Sequence, residues 1–163
     1  MGQKHSSEKY KFDVKKNVYG EKLNKCRQNN SDSNGSWHLN GKCDEQSGGV
    51  HQICVSNLKS NFSRETSQSK WSVERANKPH CVCLGAYALY SKKNNDLELD
   101  CSAIPETVFD RKYIDKWNKW NGYEIDGQGS AGIKKLYKFC YKTADDRRKK
   151  EYIKNLYNNV KYW

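Results

Sequence analysis

The sequence lacks any long apolar stretch, and this absence limits where the chain is expected to act. No run of about 18 apolar residues occurs, so the sequence predicts no membrane-spanning helix. The first 25 residues hold no apolar segment of the kind that a secretory signal peptide needs. We therefore expect an intracellular protein. Apolar residues make up only 35% of the 163 residues, and the mean hydropathy is −1.11, which together predict a compact core with polar flanks.

Recognisable catalytic motifs are also missing from the sequence. No pair of carboxylates has a spacing typical of acid–base catalysis. The segment "GQGSAG" (127–132) lacks the Lys-Ser/Thr of a phosphate-binding loop and follows no clear strand. These absences favour a structural or interaction protein over an enzyme. The alternative is a zinc-binding or thiol-dependent enzyme or redox protein that uses the cysteines and histidines of the chain.

Positive charge is what the sequence has in excess, with a formal net charge of +11. Residues 1–25 carry seven Lys/Arg and three acids, and residues 131–163 carry ten and three, whereas the span between them is neutral. Basic ends favour polyanions such as nucleic acid, an anionic membrane or an acidic protein surface. The candidate polyanion-binding residues are Lys134, Lys135, Lys138, Arg147, Arg148, Lys149 and Lys150.

The residue usage suggests a setting for such a protein. Lys and Asn are frequent, and the chain has 11 tyrosines. AT-rich codons encode these residues, as in the genomes of large DNA viruses. One hypothesis is therefore a minor structural component of a virus particle, with a neutral body packed against protein neighbours in an assembly. A nucleic-acid-binding accessory protein is a further alternative.

The first residues, "MGQKHS", fit the pattern for N-myristoylation, with Gly2 as the acceptor. A single myristoyl chain binds membranes only marginally, and a nearby polybasic segment usually supplies the second signal. Five lysines between positions 4 and 16 supply such charge here. Gly2 is therefore a candidate lipidation site.

The seven cysteines admit three interpretations. In a reducing compartment, thiols or metal ligands are expected before disulfides, and a disulfide framework would leave one cysteine over. Cys81 and Cys83, if both lie in a strand, point to the same face with Cα atoms roughly 7 Å apart, which lets both reach one ion. Zinc takes four sulfur or nitrogen ligands. The candidate metal ligands are Cys43, His51, Cys54, Cys81 and Cys83; disulfides and plain buried thiols remain the alternatives.

Hydrophobic periodicity predicts an α+β fold with a small antiparallel or mixed sheet and packed helices. Strands are expected within 48–58 and 96–104, and "HCVCLGAYALY" (80–90) reads as a strand passing into a helix. Three helices should follow, over about 111–121 with Asp110 as cap, from Ser130, and from Thr143. The predicted organisation is a basic polar arm (1–16), a Cys-rich α+β domain (17–121) and a basic helical extension (122–163).

Several short segments together resemble a small bacterial family known as domain of unknown function 2237. Its members have segments of the form N-V-x-G-x-x-L-x-x-C, D-G-x-C, G-x-H-x-x-C and W-C-L-C-A in this order, followed by a strand with A-T-H and a short helix. The corresponding stretches here are "NVYGEKLNKC" (17–26), "WHLNGKC" (37–43), "GGVHQICV" (48–55), "CVCLGAYAL" (81–89) and "LELDCSAIPETVF" (97–109). On this resemblance, six positions match the family pattern: Cys26, Cys43, His51, Cys54, Cys81 and Cys83.

The chain also departs from that family. His80 stands where the family has Trp, and Cys101 falls near a family histidine. The stretch before residue 80 is shortened, and the Lys/Tyr-rich helices after Gly122 have no counterpart. The resemblance implies a compact α+β domain over about 17–121, and it implies no activity.

Overall fold

The structure is a computed structural model, and it describes residues 16–32, 35–44, 51–115, 117, 119–120, 123–124 and 128–161. Within these ranges there are six α-helices and two small antiparallel sheets, so the predicted α+β class is confirmed. In chain order the elements are β1 (Ile53–Val55), α1 (Phe62–Glu65), α2 (Trp71–Glu74), β2 (His80–Val82), α3 (Leu84–Lys93), α4 (Arg111–Asp115), β3 (Lys119–Trp120), β4 (Tyr123–Glu124), α5 (Gln128–Thr143) and α6 (Arg147–Asn158). Two 3₁₀ turns, Cys101–Ala103 and Glu106–Phe109, precede α4.

The central sheet is formed by β1 and β2, which run antiparallel with Cys54 opposite Cys81. A single bridge joins Val55 to Leu99 on the other side of β1. The predicted strand over 96–104 is therefore reduced to one bridge, and its end is a 3₁₀ turn. All six residues of β1 and β2 are buried, as expected for short apolar strands covered on both faces.

Helix α3 begins directly after β2, as the sequence predicts, because Cys83 caps it. Cys83 has extended backbone dihedrals, and its Sγ accepts a hydrogen bond from the amide of Ala86 at 3.4 Å. Seven of the ten residues in α3 are buried. The helix is thus a core element rather than a surface helix with one apolar stripe.

Helix α5 packs along α3, and Gly132 lies at their contact. A Cβ atom at position 132 would lie 2.9 Å from the Cβ of Ala88, closer than such atoms approach. The missing side chain lets the two helices come close together. Ile133, Leu136 and Cys140 of α5 are fully buried in the same core as β1 and β2.

Three helix boundaries differ from the sequence predictions, the first being Ser130, which lies inside α5 rather than at its cap. Thr143 does not cap the last helix; it is the final residue of α5, and its Oγ1 donates to the carbonyl of Phe139 at 2.9 Å. Asp146 caps α6 instead, accepting from the amide of Lys149 at 2.8 Å. The helix expected over 111–121 is only Arg111–Asp115, because Trp120 belongs to β3, which pairs with β4.

No helix in the described part of the chain combines the length and the apolar character that crossing a bilayer requires. This finding agrees with the absence of a long apolar run in the sequence.

Candidate functional site

Six of the seven cysteines, all of which lie in the described ranges, form three disulfides. The bonds are Cys26–Cys54, Cys43–Cys81 and Cys101–Cys140. Cys83 is the cysteine outside these bonds, and it is 3% exposed. The arrangement is the disulfide alternative considered for the sequence, with one cysteine left over. A disulfide sulfur is not a thiolate ligand, so in this state Cys43, Cys54 and Cys81 do not form the predicted zinc site.

The first two disulfides lie side by side in the centre of the fold. The Sγ atoms of Cys26, Cys43 and Cys54 all lie within 4.8 Å of one another, and Cys81 is bonded to Cys43. Cys54 and Cys81 are brought together by the register of β1 and β2. Cys26 and Cys43 come from the irregular chain before the sheet, where the amide of Cys26 donates to the carbonyl of Gly41 at 2.9 Å. We call these four residues the sulfur cluster.

Cys26, Cys101 and Cys140 are the disulfide partners that reasoning from sequence alone left out of the candidate metal ligands. Cys26 matched the family pattern but was not among the candidate metal ligands. Cys140 fell on the apolar stripe of its helix and was interpreted as a core residue. Strand pairing places Cys54 opposite Cys81, but no local signal in the sequence gives the positions of loop residues such as Cys26.

Three members of the predicted metal set, Cys81, Cys83 and His51, line a cavity of about 280 Å³. Trp71, Arg75 and His80 also line it. Cys83, which caps the N-terminus of α3, lines this cavity. Sequence reasoning missed this feature because it did not fix the residue at which the strand ends and the helix begins.

His80 is held in this cavity by both ring nitrogens. Nε2 lies 3.1 Å from Nη1 of Arg75, and since arginine only donates, Nε2 is the acceptor. Nδ1 therefore carries the proton and donates to the carbonyl of Cys81 at 3.0 Å. The ring lies against Trp71, with centroids 4.8 Å apart. Burial, reinforced by the positive charge of Arg75, lowers the pKa of His80 to about 3, so the ring is neutral near pH 7.

A second concavity, of about 340 Å³, lies between α3 and α5, and we call it the lysine groove. Its floor consists of small residues because the helices approach closely at Gly132. Lys135 donates to the carbonyl of Ser91 and to Oδ1 of Asn95, whereas Lys92, Lys134 and Lys138 are exposed. The residues that line the groove are Ala88, Ser91, Lys92, Ala131, Gly132, Lys134, Lys135 and Lys138. No carboxylate of the described part of the chain is among them.

The remaining candidate polyanion-binding residues lie in the first turn of α6. Three of them, Arg148, Lys149 and Lys150, contact other residues of the chain. Arg148 pairs with Glu21 and donates to the carbonyl of Tyr19. Lys149 lies 2.9 Å from Oδ1 of Asp145, which raises the pKa of Lys149. Lys150 donates to the carbonyl of Tyr141 at 2.7 Å.

Five of the seven basic candidates therefore fall into two groups. Lys134, Lys135 and Lys138 line the groove with Lys92, which the sequence analysis had not singled out. Arg148 and Lys149 help to fasten α6 to the segment around Glu21. Gly2 and the basic arm up to residue 15 lie outside the described residues.

Comparisons of the chain with protein-family models, curated proteins and solved structures find no match. The resemblance to domain of unknown function 2237 accordingly stays a prediction.

Proposed function

We propose that the chain is a non-enzymatic interaction protein that binds nucleic acid through the phosphate backbone in the lysine groove. The observation that supports this function is the groove itself: of the described residues, four lysines and no carboxylate line it. Lysines that face a common concavity without counter-ions attract a chain of phosphates and release its condensed cations on binding.

The shape of the groove favours nucleic acid over a flat membrane surface. Membrane-surface helices carry large apolar residues beside their lysines. Among the described residues, the large exposed apolar side chains are Leu39 and Val73, and neither lies on α3 or α5. The groove instead combines small residues, alanine and glycine, with lysines. This arrangement leaves room for a nucleic-acid strand between α3 and α5.

The chemistry of the groove predicts binding without sequence preference. Among the residues that the structure describes, no aromatic side chain lines the groove, so base stacking is not expected from them, and lysines contact phosphates as point charges. A component of a DNA virus particle, one of the settings expected from the sequence, would require this kind of binding.

The thiol-dependent alternative has less support. Six cysteines are bonded in pairs, and Cys83 is 3% exposed. Both ring nitrogens of His80 are already used in hydrogen bonds, so this histidine is a poor general base.

The test is a charge-removing variant of the groove, Lys92→Gln/Lys134→Gln/Lys138→Gln. Fluorescence anisotropy with labelled single- and double-stranded oligonucleotides, over a series of salt concentrations, measures affinity and its salt dependence. Losing three phosphate contacts should weaken duplex binding roughly ten- to hundredfold near physiological salt and reduce the slope of log K against log salt by about 2–3.

A matched control removes the same charge elsewhere, in Lys22→Gln/Lys25→Gln/Lys70→Gln, at three exposed positions outside the groove. This control should bind nearly as tightly as the parent chain. Equal losses in the two variants would reject the groove as the binding site. Tight binding to vesicles with anionic lipid, lost in the groove variant, together with no binding to oligonucleotides, would assign the groove to a membrane instead.

A further inference from the structure

The sulfur cluster has the ligand number and the compactness of a metal centre. Four cysteine sulfurs, from residues 26, 43, 54 and 81, meet in the core, and each of these residues is 0% exposed. Three of the sulfurs lie within 4.8 Å of one another, and the fourth is bonded to one of them. In a tetrahedral zinc site with Zn–S bonds of about 2.3 Å, neighbouring sulfurs lie about 3.8 Å apart. The separations among Cys26, Cys43 and Cys54, at most 4.8 Å, are compatible with this spacing, and Cys81 completes the set through its bond to Cys43.

We propose that the sulfur cluster is a redox-dependent zinc site. In the reduced protein, Cys26, Cys43, Cys54 and Cys81 hold one Zn²⁺ as four thiolates. In the oxidised protein, the same four sulfurs form the two disulfides Cys26–Cys54 and Cys43–Cys81. This ligand set differs from the one expected from the sequence, because Cys26 enters it and Cys83 and His51 are not part of it.

The backbone around the cluster favours both states. Cys54 and Cys81 face each other across β1 and β2, and Cys26 is held near residue 41 by a backbone hydrogen bond. Strand pairing and the loop contact therefore position the ligands whether or not the sulfurs are bonded to one another. Zinc ties the same four points of the chain together as the two disulfides do, so the fold keeps its central cross-link in either redox state.

The chemistry balances with a disulfide as the oxidant. Metal binding replaces four thiol protons by Zn²⁺ and releases the four protons. On oxidation, two molecules of a low-molecular-weight disulfide accept four electrons from the four thiolates. Two protein disulfides form, the oxidant leaves as four thiolates, and Zn²⁺ is released.

The third disulfide and Cys83 provide internal controls. Cys101 and Cys140 form a bond in a different part of the core, between the 3₁₀ turn and α5. Cys83 caps α3. Neither belongs to the cluster, so their replacement should leave metal binding intact.

The first experiment titrates the reduced full-length chain with Co²⁺ under anaerobic conditions, followed by Zn²⁺. We expect one Co²⁺ per chain with the visible ligand-field bands and sulfur charge-transfer band of a tetrahedral tetrathiolate, displaced by one equivalent of Zn²⁺. Cys83→Ser and Cys101→Ser/Cys140→Ser should bind in the same way, whereas Cys26→Ser should lose the tetrathiolate spectrum. Absence of the spectrum in the reduced parent chain, or its loss in Cys83→Ser with retention in Cys26→Ser, would overturn the proposal.

A second measurement needs no variant, so it stands even if Cys26→Ser does not fold. The zinc-loaded chain is treated with oxidised glutathione, and released zinc is compared with disulfides mapped by mass spectrometry. Zinc release should rise together with the Cys26–Cys54 and Cys43–Cys81 bonds. Formation of these bonds with zinc still retained would contradict the proposal. Both experiments contain no nucleic acid, so their outcome is separate from that of the groove variants.

Discussion

The buried imidazole of His80 shows how much of this fold depends on single polar residues. His80 is 2% exposed, and its two hydrogen bonds join the arginine after α2 to the strand that carries Cys81. A buried polar group is tolerated only when its hydrogen-bonding atoms have partners, and a buried ring must stay neutral. Protonation of His80 therefore links the packing around the ring to the pH dependence of the free energy of unfolding.

Acid should destabilise the protein through His80. The folded pKa is about 3 and the ordinary value is 6.5, so between these limits the unfolded chain binds one more proton than the folded chain. The free energy of unfolding should fall with decreasing pH in this window, by about 2 kcal/mol between pH 7 and pH 5. Urea unfolding of the parent chain and of His80→Gln at both pH values measures the effect. The variant should lack this component, and an identical pH dependence in both proteins would exclude His80 as its source.

Among the helices, the junction between α5 and α6 shows where sequence patterns decide and where they do not. Thr143 and Asp146 are both good capping residues, three positions apart. The sequence alone does not say which of them caps the last helix. In the structure α5 continues through Thr143, so its amide and carbonyl groups belong to that helix, and the cap falls to Asp146.

Removal of this cap should destabilise α6. Asp146→Ala leaves the amide of Lys149 without its side-chain acceptor, and such losses cost about 0.5–2 kcal/mol. Thr143→Ala is the comparison variant, since Thr143 is the other candidate cap, and its hydroxyl contacts Phe139 and Tyr19 rather than an amide of α6. Chemical denaturation should rank Asp146→Ala below Thr143→Ala, and the reverse order would mean that Thr143 is the residue that begins the helix.

The sequence predicted those elements whose hydrophobic pattern is unambiguous. β2 passing into α3 follows from a continuous apolar run, and α5 follows from Ile133, Leu136 and Cys140 at helical spacing. The predicted helix over 111–121 was wrong beyond residue 115, because Trp117 and Trp120 also fit a helical stripe. Asn121-Gly122, the sequence between β3 and β4, is a strong hairpin signal that competes with this pattern.

The candidate sites were predicted less completely than the fold. Lysines 134, 135 and 138 were expected from charge alone, but Lys92 joins them only because α3 packs against α5. Likewise, Cys26 joins the sulfur cluster through a contact with a distant loop. Such partners depend on tertiary packing, which residue spacing along one segment does not contain.

At the scale of the whole molecule, Cys101–Cys140 joins the Cys-rich body to the basic helices. Its two cysteines are 39 positions apart, and both are buried in the common core. The hydroxyl of Tyr19 donates to the carbonyl of Cys140 at 2.6 Å, which adds a polar contact at the same place. The predicted boundary at residue 122 remains a prediction.

Loss of this bond should lower the stability of the whole chain. In Cys101→Ala/Cys140→Ala the unfolded chain is no longer constrained by a cross-link between residues 39 positions apart. Its conformational entropy therefore rises, and we expect the free energy of unfolding to fall by about 2–4 kcal/mol. Urea unfolding without reductant measures the difference. Adding reductant should remove the difference, because the parent chain then also lacks the bond. Equal stability without reductant would show that the bond does not constrain the unfolded chain.

The order of the three disulfides along the chain has a consequence for cleavage by proteases. The loops closed by Cys26–Cys54 and Cys43–Cys81 overlap, so a chain cut once anywhere between residues 26 and 81 stays one covalent molecule. A cut between 101 and 140 is likewise held by the third bond. Between the first and the last of these cysteines, only the interval 81–101 is spanned by no bond. That interval contains α3, most of whose residues are buried, and then exposed residues, where a single cut would separate the chain into two pieces.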